Sequence, residues 1–211
     1  MSTHYDQIAF TQAVQDRQEK YGSRRFYARH QARGEHIAGP DLLTDEVRDY
    51  LTERDSFYLA SVGETGWPYV QYRGGPPGFL RVLSDDTLGW ADFRGNRQYI
   101  TSGNLHGNDR VALIVMNYAE RQRLKIYGRA TIRDASEDPD LIAQLADERY
   151  PAVIERVIII KVAAFDWNCQ QHITPRYTLD EIHQQTSALR HRVAALEAEN
   201  AEMRRLLAAA T

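Results

Sequence analysis

Between residues 56 and 168 the chain is a succession of short β-rich runs set apart by tight turns. That rhythm limits it to an antiparallel, mostly β fold. FYLASV (57–62), GETG (63–66) and WPYVQYR (67–73) read as two strands joined by a Gly-bearing turn, a hairpin signal. GGPPG (74–78) is a second breaker, and FLRVL (79–83) and TLGWADF (87–93) flank the tight turn Ser84, Asp85, Asp86. RGNRQYITSGNLHGND (94–109) interrupts the strands and predicts a loop with a short helix. RVALIVMNY (110–118), RLKIYGRATIRD (123–134) and RVIIIKVAAFDWN (156–168) resume the strands. Between the last two, residues 138–149 predict a helix with Pro139 in its first turn. Six or more strands, joined mostly by hairpins, predict an antiparallel barrel rather than a βαβ sheet. No internal repeat is visible.

The flanks differ. Residues 5–55 read as polar and helical, in two weakly amphipathic stretches separated by HIAGP (36–40). Thr44, followed by Val47, Tyr50 and Leu51, looks like the cap of a helix entering the main domain. From Leu179 the pattern becomes heptad: Ile182, Leu189, Leu196 and Met203 form one seven-residue series, and Thr186, Val193, Asn200 and Leu207 a second, offset by four. These are the d and a positions of a coiled coil, and an Asn at an a position favours two strands in one register. In a parallel pair Arg192 would face Glu197 and Glu199 would face Arg204. The expected organisation is a helical segment over 1–54, the barrel over 55–178 and a parallel coiled-coil helix over 179–211. A zipper that grips DNA needs a basic helix directly before it, and TPRYTLDEIHQQ (174–185) carries too few positive charges.

Composition sets wider bounds. The 211 residues are 43% hydrophobic and 26% charged with a net charge of −3. That is enough chain for a substantial core and gives no global attraction to nucleic acid or an anionic membrane. Cys169 is the only cysteine, so no intrachain disulfide can form, which fits a reducing compartment. The first twenty residues contain no apolar core of signal-peptide length, and no run approaches a membrane span. A soluble, cytoplasmic protein is the expectation.

Several segments could carry chemistry. Arg94, Gly95, Asn96 and Arg97 follow a strand directly, with Gly95 allowing close backbone approach and the others supplying donors for a phosphate. Gln71 and Arg73 project to the same face of a strand, ahead of Gly74 and Gly75. No Lys-Ser/Thr pair follows, so this is not a P-loop. Arg123, Lys125 and Tyr127 give one strand a basic face, and in WNCQQHITPR (167–176) Trp167 could cover a ring while Arg176 meets an anion. Each segment alone is a weak signal, because a short basic loop is more often a solvated turn, GGPPG can merely turn the chain, and a basic strand face can simply meet solvent. Cys169 and His172 have no third catalytic group beside them, Ser102 is not in a nucleophile elbow, and no His, Cys or carboxylate spacing suggests zinc.

Taken together, DSFYLASV, PYVQYRGGPPGFLRVL, TLGWADFRGNRQYITSGNL, RLKIYGRA and WNCQQHITPRYT, in that order, resemble the pyridoxamine 5′-phosphate oxidase-like family of FMN-binding split β-barrels. The likeness runs from about Asp55 to Tyr177, and FTQAVQDRQEKYGSRRFYAR has the look of the same bacterial branch. The resemblance implies a homodimer with two FMN sites at the subunit interface. It assigns flavin and ribityl contacts to Gln71, Arg73 and Gly74, further contacts to Trp90, Ala91 and Asp92, and the phosphate to Asn96 and Arg97, with Arg94 beside them. The family's glutamine before its V-x-V-x-G strand falls on Arg123, a departure that either adds a phosphate or flavin contact or leaves the position outside the site. The family's late Trp and Arg fall on Trp167 and Arg176, reaching FMN from the partner subunit.

Only part of the element that grips pyridoxamine phosphate survives, as His172 to Arg176, and a long helix follows it. The resemblance therefore implies an FMN-dependent oxidoreductase acting on a small molecule other than that one, with a nicotinamide as one candidate donor. The alternatives on the same fold are a flavin carrier or sensor without turnover, a heme or deazaflavin binder, and a dimeric scaffold whose helix recruits a partner.

Overall fold

The computed structural model describes residues 3–33 and 39–209. Residues 36–38 of the predicted breaker, and the outermost residues of both terminal segments, lie outside the described residues.

Strand β1 (Ser56–Val62) shows why the sheet forms: Phe57, Leu59 and Ser61 point inward while Tyr58 and Ala60 point out. Strand β5 (Arg110–Asn117) repeats the pattern with Val111, Leu113 and Val115 buried. Such alternation leaves one face to bury and one to expose. With β2 (Pro68–Gly74), β3 (Arg81–Ser84), β4 (Thr87–Phe93), β6 (Gln122–Asp134) and β7 (Ile154–Trp167), they form one antiparallel sheet in the order β2-β1-β5-β6-β7-β4-β3. In that order three strands separate β1 from β4. Even so, the rings of Phe57 and Trp90 meet edge to face at 5.1 Å, and Arg73 of β2 reaches Asp92 of β4 at 2.7 Å. The sheet therefore curls until its ends meet, giving the antiparallel barrel that the strand rhythm predicts and the split-barrel fold that the resemblance implies.

The curl has a local cause. The pairing of β6 with β7 shifts between Tyr127 and Gly128. A Cβ at Gly128 would stand 2.4 Å from Ile160 Cγ2 and 2.8 Å from the Lys161 carbonyl oxygen, so only glycine lets the strands approach at this bulge.

Helix α4 (Asp45–Thr52) plugs one end of the barrel. Thr44 Oγ1 accepts from Val47 N at 3.4 Å, Asp45 and Glu46 sit in the first turn, and Val47, Tyr50 and Leu51 face the core. Leu51 is fully buried, and its truncation to Ala costs about 2–5 kcal/mol. Helix α4 stands on the second of the two predicted amphipathic stretches, and ahead of it α1 (Thr3–Ala9), α2 (Gln12–Lys20) and α3 (Arg24–Arg33) stand where the first is predicted. Tyr5 of α1 stacks on Tyr127 at 5.1 Å, with Lys125 Nζ 4.3 Å from the Tyr5 ring.

The segment 94–109 forms a loop and helix α5 (Ile100–Gly107), as predicted. Helix α6 (Pro139–Leu145) is shorter than the predicted 138–149. Asp138 caps its start by accepting from Leu141 N at 3.1 Å. Past its end, Asp147 accepts from Arg149 N at 2.9 Å, a local bond that competes with further helix. Helix α6 covers a second, smaller core of Ala91, Leu145 and Val157. Helix α7 (Leu179–Ala209) runs 31 residues with none buried. No helix of the described residues is long and apolar enough to cross a membrane.

Candidate functional site

An open cleft of about 170 Å³ lies where the curled sheet meets the loop after β4. Four segments line it. Strand β2 contributes Tyr69, Gln71 and Arg73, its inward side chains at period two. The end of β4 contributes Asp92, the loop contributes Asn96, Arg97 and Tyr99, and the start of β7 contributes Glu155 and Arg156. Tyr69 donates its hydroxyl hydrogen to Gln71 Oε1, which fixes the amide.

The centre of the site is Asp92, only 4% exposed. Its two oxygens meet Arg73 Nη1 at 2.7 Å and Arg156 Nε at 2.8 Å. Arg156 stands directly across from Asp92 in the β4–β7 register, so strand pairing delivers the contact. Burial pushes the Asp92 carboxyl above its usual range, while the Arg73 and Arg156 guanidiniums pull it the other way. Arg156 extends the network: Nη2 meets Glu155 Oε2 at 2.6 Å, Nη1 donates to Ser102 Oγ at 3.3 Å, and its guanidinium lies 4.8 Å from the centre of the Tyr99 ring. Arg94 Nε meets Glu155 Oε1 at 2.8 Å, a bond that holds Glu155 below the usual carboxylate range. Four guanidiniums (Arg73, Arg94, Arg97, Arg156) thus surround two carboxylates, and the site carries a surplus of positive charge.

Backbone groups add to that field. Arg97 and Tyr99 adopt left-handed conformations, with φ of 61° and 55°, which are costly for residues with side chains. The Asn96 side chain supports the turn by accepting from Gln98 N at 3.1 Å. The bend aims the first turn of α5 at the cleft, so that Ile100, Thr101 and Ser102 line it. Tyr99 gives α5 no side-chain cap. The first N–H groups of a helix lack internal acceptors, and together with the helix dipole they make an anion site.

Of the residues singled out in the sequence, Gln71, Arg73, Asp92, Asn96 and Arg97 come together in this cleft, and Arg94 joins through Glu155. Gly74 ends β2 just beyond it, packed close to the Tyr72 ring. Trp90 and Ala91 occupy neighbouring positions on β4, but their side chains enter the two cores and only their backbone runs beside the site. Arg123, Trp167 and Arg176 are not brought to this cleft. Strands β1 and β5 lie between β2 and β6, roughly 14 Å of sheet. Trp167 packs edge-on against Tyr50 at 4.8 Å, and Arg176 covers the Tyr118 ring at 4.9 Å beside a second pocket lined by Arg54, Asp55 and Glu181. Buried Nε atoms of Arg73 and Arg123 have no hydrogen-bond acceptor among the described residues.

Tyr69, Tyr99, Thr101, Ser102, Glu155 and Arg156 are cleft residues that sequence reasoning missed. Tyr99, Thr101 and Ser102 follow Arg97 within the same conspicuous block, so proximity could have flagged them. Arg156 shows only through strand register.

The outer face of β2, β1 and β5 has a different character. Tyr58 stands opposite Tyr72 and Ile114 in register, the two tyrosine rings meet at 5.7 Å, and Ala60 stands opposite Val70 and Ala112. Tyr58, Val70, Tyr72 and Ile114 are all exposed, which makes a continuous apolar patch.

A family model described as pyridoxamine 5′-phosphate oxidase matches residues 43–175. Among solved structures, HupZ of Group A Streptococcus is similar at 18% identity and a TM-score of 0.47, covering 64% of this chain and 100% of its own. A pyridoxamine 5′-phosphate oxidase homologue from Lactobacillus delbrueckii is 22% identical with a TM-score of 0.45, covering 61% and 97%. A Clostridium acetobutylicum protein related to general stress protein 26 is 13% identical with a TM-score of 0.46, covering 65% and 94%. No curated protein matches the sequence.

Proposed function

The chain belongs to the pyridoxamine 5′-phosphate oxidase family, and from that premise we propose that it binds FMN in the arginine-rich cleft, in a site completed by a second copy of the chain. The observation that carries the reading is the convergence of surplus guanidinium charge with the uncapped start of α5 on one cleft. A phosphate dianion suits such a place. The residues fit the rest of the cofactor as well. Arg73 Nε is a buried donor with no acceptor among the described residues, and a flavin carbonyl or ribityl oxygen would supply one. In this reading Arg97, Asn96 and the α5 amides hold the phosphate, Gln71 and Arg73 orient the ring and ribityl chain, and Asp92 fixes the two arginines that flank it.

Three features support a site shared between subunits. A cleft of about 170 Å³ is smaller than the roughly 300 Å³ at the lower end of ligand pockets. Trp167 and Arg176, the residues the resemblance assigns to the partner's side, stand apart from the cleft of their own chain. The apolar outer face of β2, β1 and β5 adjoins the cleft-lining strand and is of the kind that marks an interface.

FMN, when bound, supplies two-electron redox chemistry, and the protein's part is binding, orientation and exclusion of water. The finer reading is an oxidoreductase on a small molecule. Both carboxylates of the cleft are tied to arginines, and this favours a second reading, a flavin carrier or sensor without turnover. Titration of the purified protein with FMN, followed by flavin fluorescence, tests the main proposal: stoichiometric quenching supports it, and no binding refutes it. Anaerobic mixing of the loaded protein with NADH and NADPH then separates enzyme from carrier by whether the flavin bleaches.

A further inference from the structure

Helix α7 starts from a capping box. Thr178 Oγ1 accepts from Glu181 N at 3.2 Å, and Glu181 Oε2 accepts from Thr178 N at 2.6 Å. From there it runs 31 residues, about 46 Å, with no buried residue. A helix of this length normally draws its stability from packing an apolar face. Here the face exists without cover: Ile182, Leu189, Val193, Leu196 and Met203 lie on one stripe at heptad spacing and are 39–65% exposed.

We propose that this stripe pairs with the same stripe of a second copy, as a parallel two-stranded coiled coil. The charges flanking the stripe choose the occupant. In a parallel pair each g residue faces the e residue five positions on in the other helix. That sets Arg192 against Glu197 of the second copy and Glu199 against Arg204, in both directions across the twofold axis. None of these four has an ion-pair partner among the described residues, where the intrahelical pair of α7 is Arg205 with Glu202 at 3.2 Å. Asn200 chooses the orientation. In a parallel pair its amide meets the amide of the other Asn200 and both find a partner. In an antiparallel pair an a position meets a d position, and the amide would be buried against Ile, Leu or Met. A parallel pair also has its twofold axis along its length, so it can share an axis with a symmetric pair of barrels. The inference concerns helix pairing and does not rest on the flavin reading.

The test uses the full chain with the exposed Cys169 changed to Ser. A spin label is attached in one variant through Gln184→Cys and in another through Arg205→Cys, both on the outer f face, and interlabel distances are measured by pulsed dipolar spectroscopy. The proposal gives the same short, narrow distance at both positions, set by helix axes about 10 Å apart. Adding Leu189→Lys and Leu196→Lys abolishes that coupling. Long distances of about 30 Å or more at both positions mean an antiparallel pair, and absence of coupling in the parent means no pairing; either overturns the proposal. A protein that pairs its helices yet binds no flavin leaves this inference standing while refuting the function proposed above.

Discussion

Changing Arg73 to Met removes every donor while keeping an unbranched side chain as far as the Nε position, and the structure states what is lost. Nη1 rests on Asp92 at 2.7 Å, and Nε has no acceptor among the described residues. A bound flavin therefore gains Nε and the second terminal nitrogen, not the whole guanidinium. A hydrogen bond to a charged group contributes about 1.5–3 kcal/mol, which corresponds to roughly a 10- to 150-fold weaker Kd. The loss falls equally on FMN and riboflavin, because Arg73 is assigned to the ring and ribityl chain. Arg97→Asn is the matched control. Asn tolerates the left-handed backbone that Arg97 adopts at φ 61°, so the loop keeps its shape. Arg97 is assigned to the phosphate, so this variant loses affinity for FMN and keeps its affinity for riboflavin. Fluorescence titrations of both variants with both ligands, after circular dichroism shows that each is folded, complete the assay. Less than threefold change for Arg73→Met, or the opposite ligand pattern in the two variants, refutes the assignment.

Other consequences are as direct. Tyr50 is buried, donates to the Val115 carbonyl oxygen at 3.0 Å, and burial pushes its hydroxyl up from 10.0 to about 12. The folded pKa is the higher one, so the stability from this group is fully present below pH 10 and is lost as pH rises toward 12, by about 2–3 kcal/mol; urea melts of Tyr50→Phe and the parent across that window should show a shallower alkaline decline in the variant. Gly128→Ala forces a Cβ to within 2.4 Å of Ile160 Cγ2 and should destabilise by about 1–3 kcal/mol, or roughly 2–12 °C in Tm; an unchanged Tm contradicts the account of the bulge. If phosphate binding draws on the surplus charge of the cleft, FMN affinity falls as salt is raised from low to physiological strength, while riboflavin affinity changes little.

The barrel was legible because its signal is local: alternation in FYLASV and RVALIVMN, and turns of Gly, Pro and Asp between them, are readable without knowing what packs on what. The order of the strands was not legible in the same way, since the curl that brings Arg73 to Asp92 depends on contacts far apart in sequence. The site divides along the same line. Gln71, Arg73, Asp92, Asn96 and Arg97 stand out through composition and block order, whereas Arg156 looks like the ordinary start of an apolar strand and gains its place only by standing opposite Asp92. Trp90 and Asp92 share one face of β4, two residues apart, with Ala91 on the other; the indole fills the core while the carboxylate meets Arg73 and Arg156 at the cleft, and the sequence alone does not say which does which. The predicted helix over 138–149 ran too long because Asp147 prefers a bond to the next turn over helix continuation.

The central claim, a flavin site built on this cleft, is tested most directly by the visible spectrum of the protein as purified, together with the mass of the cofactor released on denaturation. The account predicts the two-band absorbance of oxidised flavin and a released species with the mass of FMN, at one per chain. A colourless protein that takes up no added FMN, or the spectrum of a heme or a deazaflavin, would contradict it.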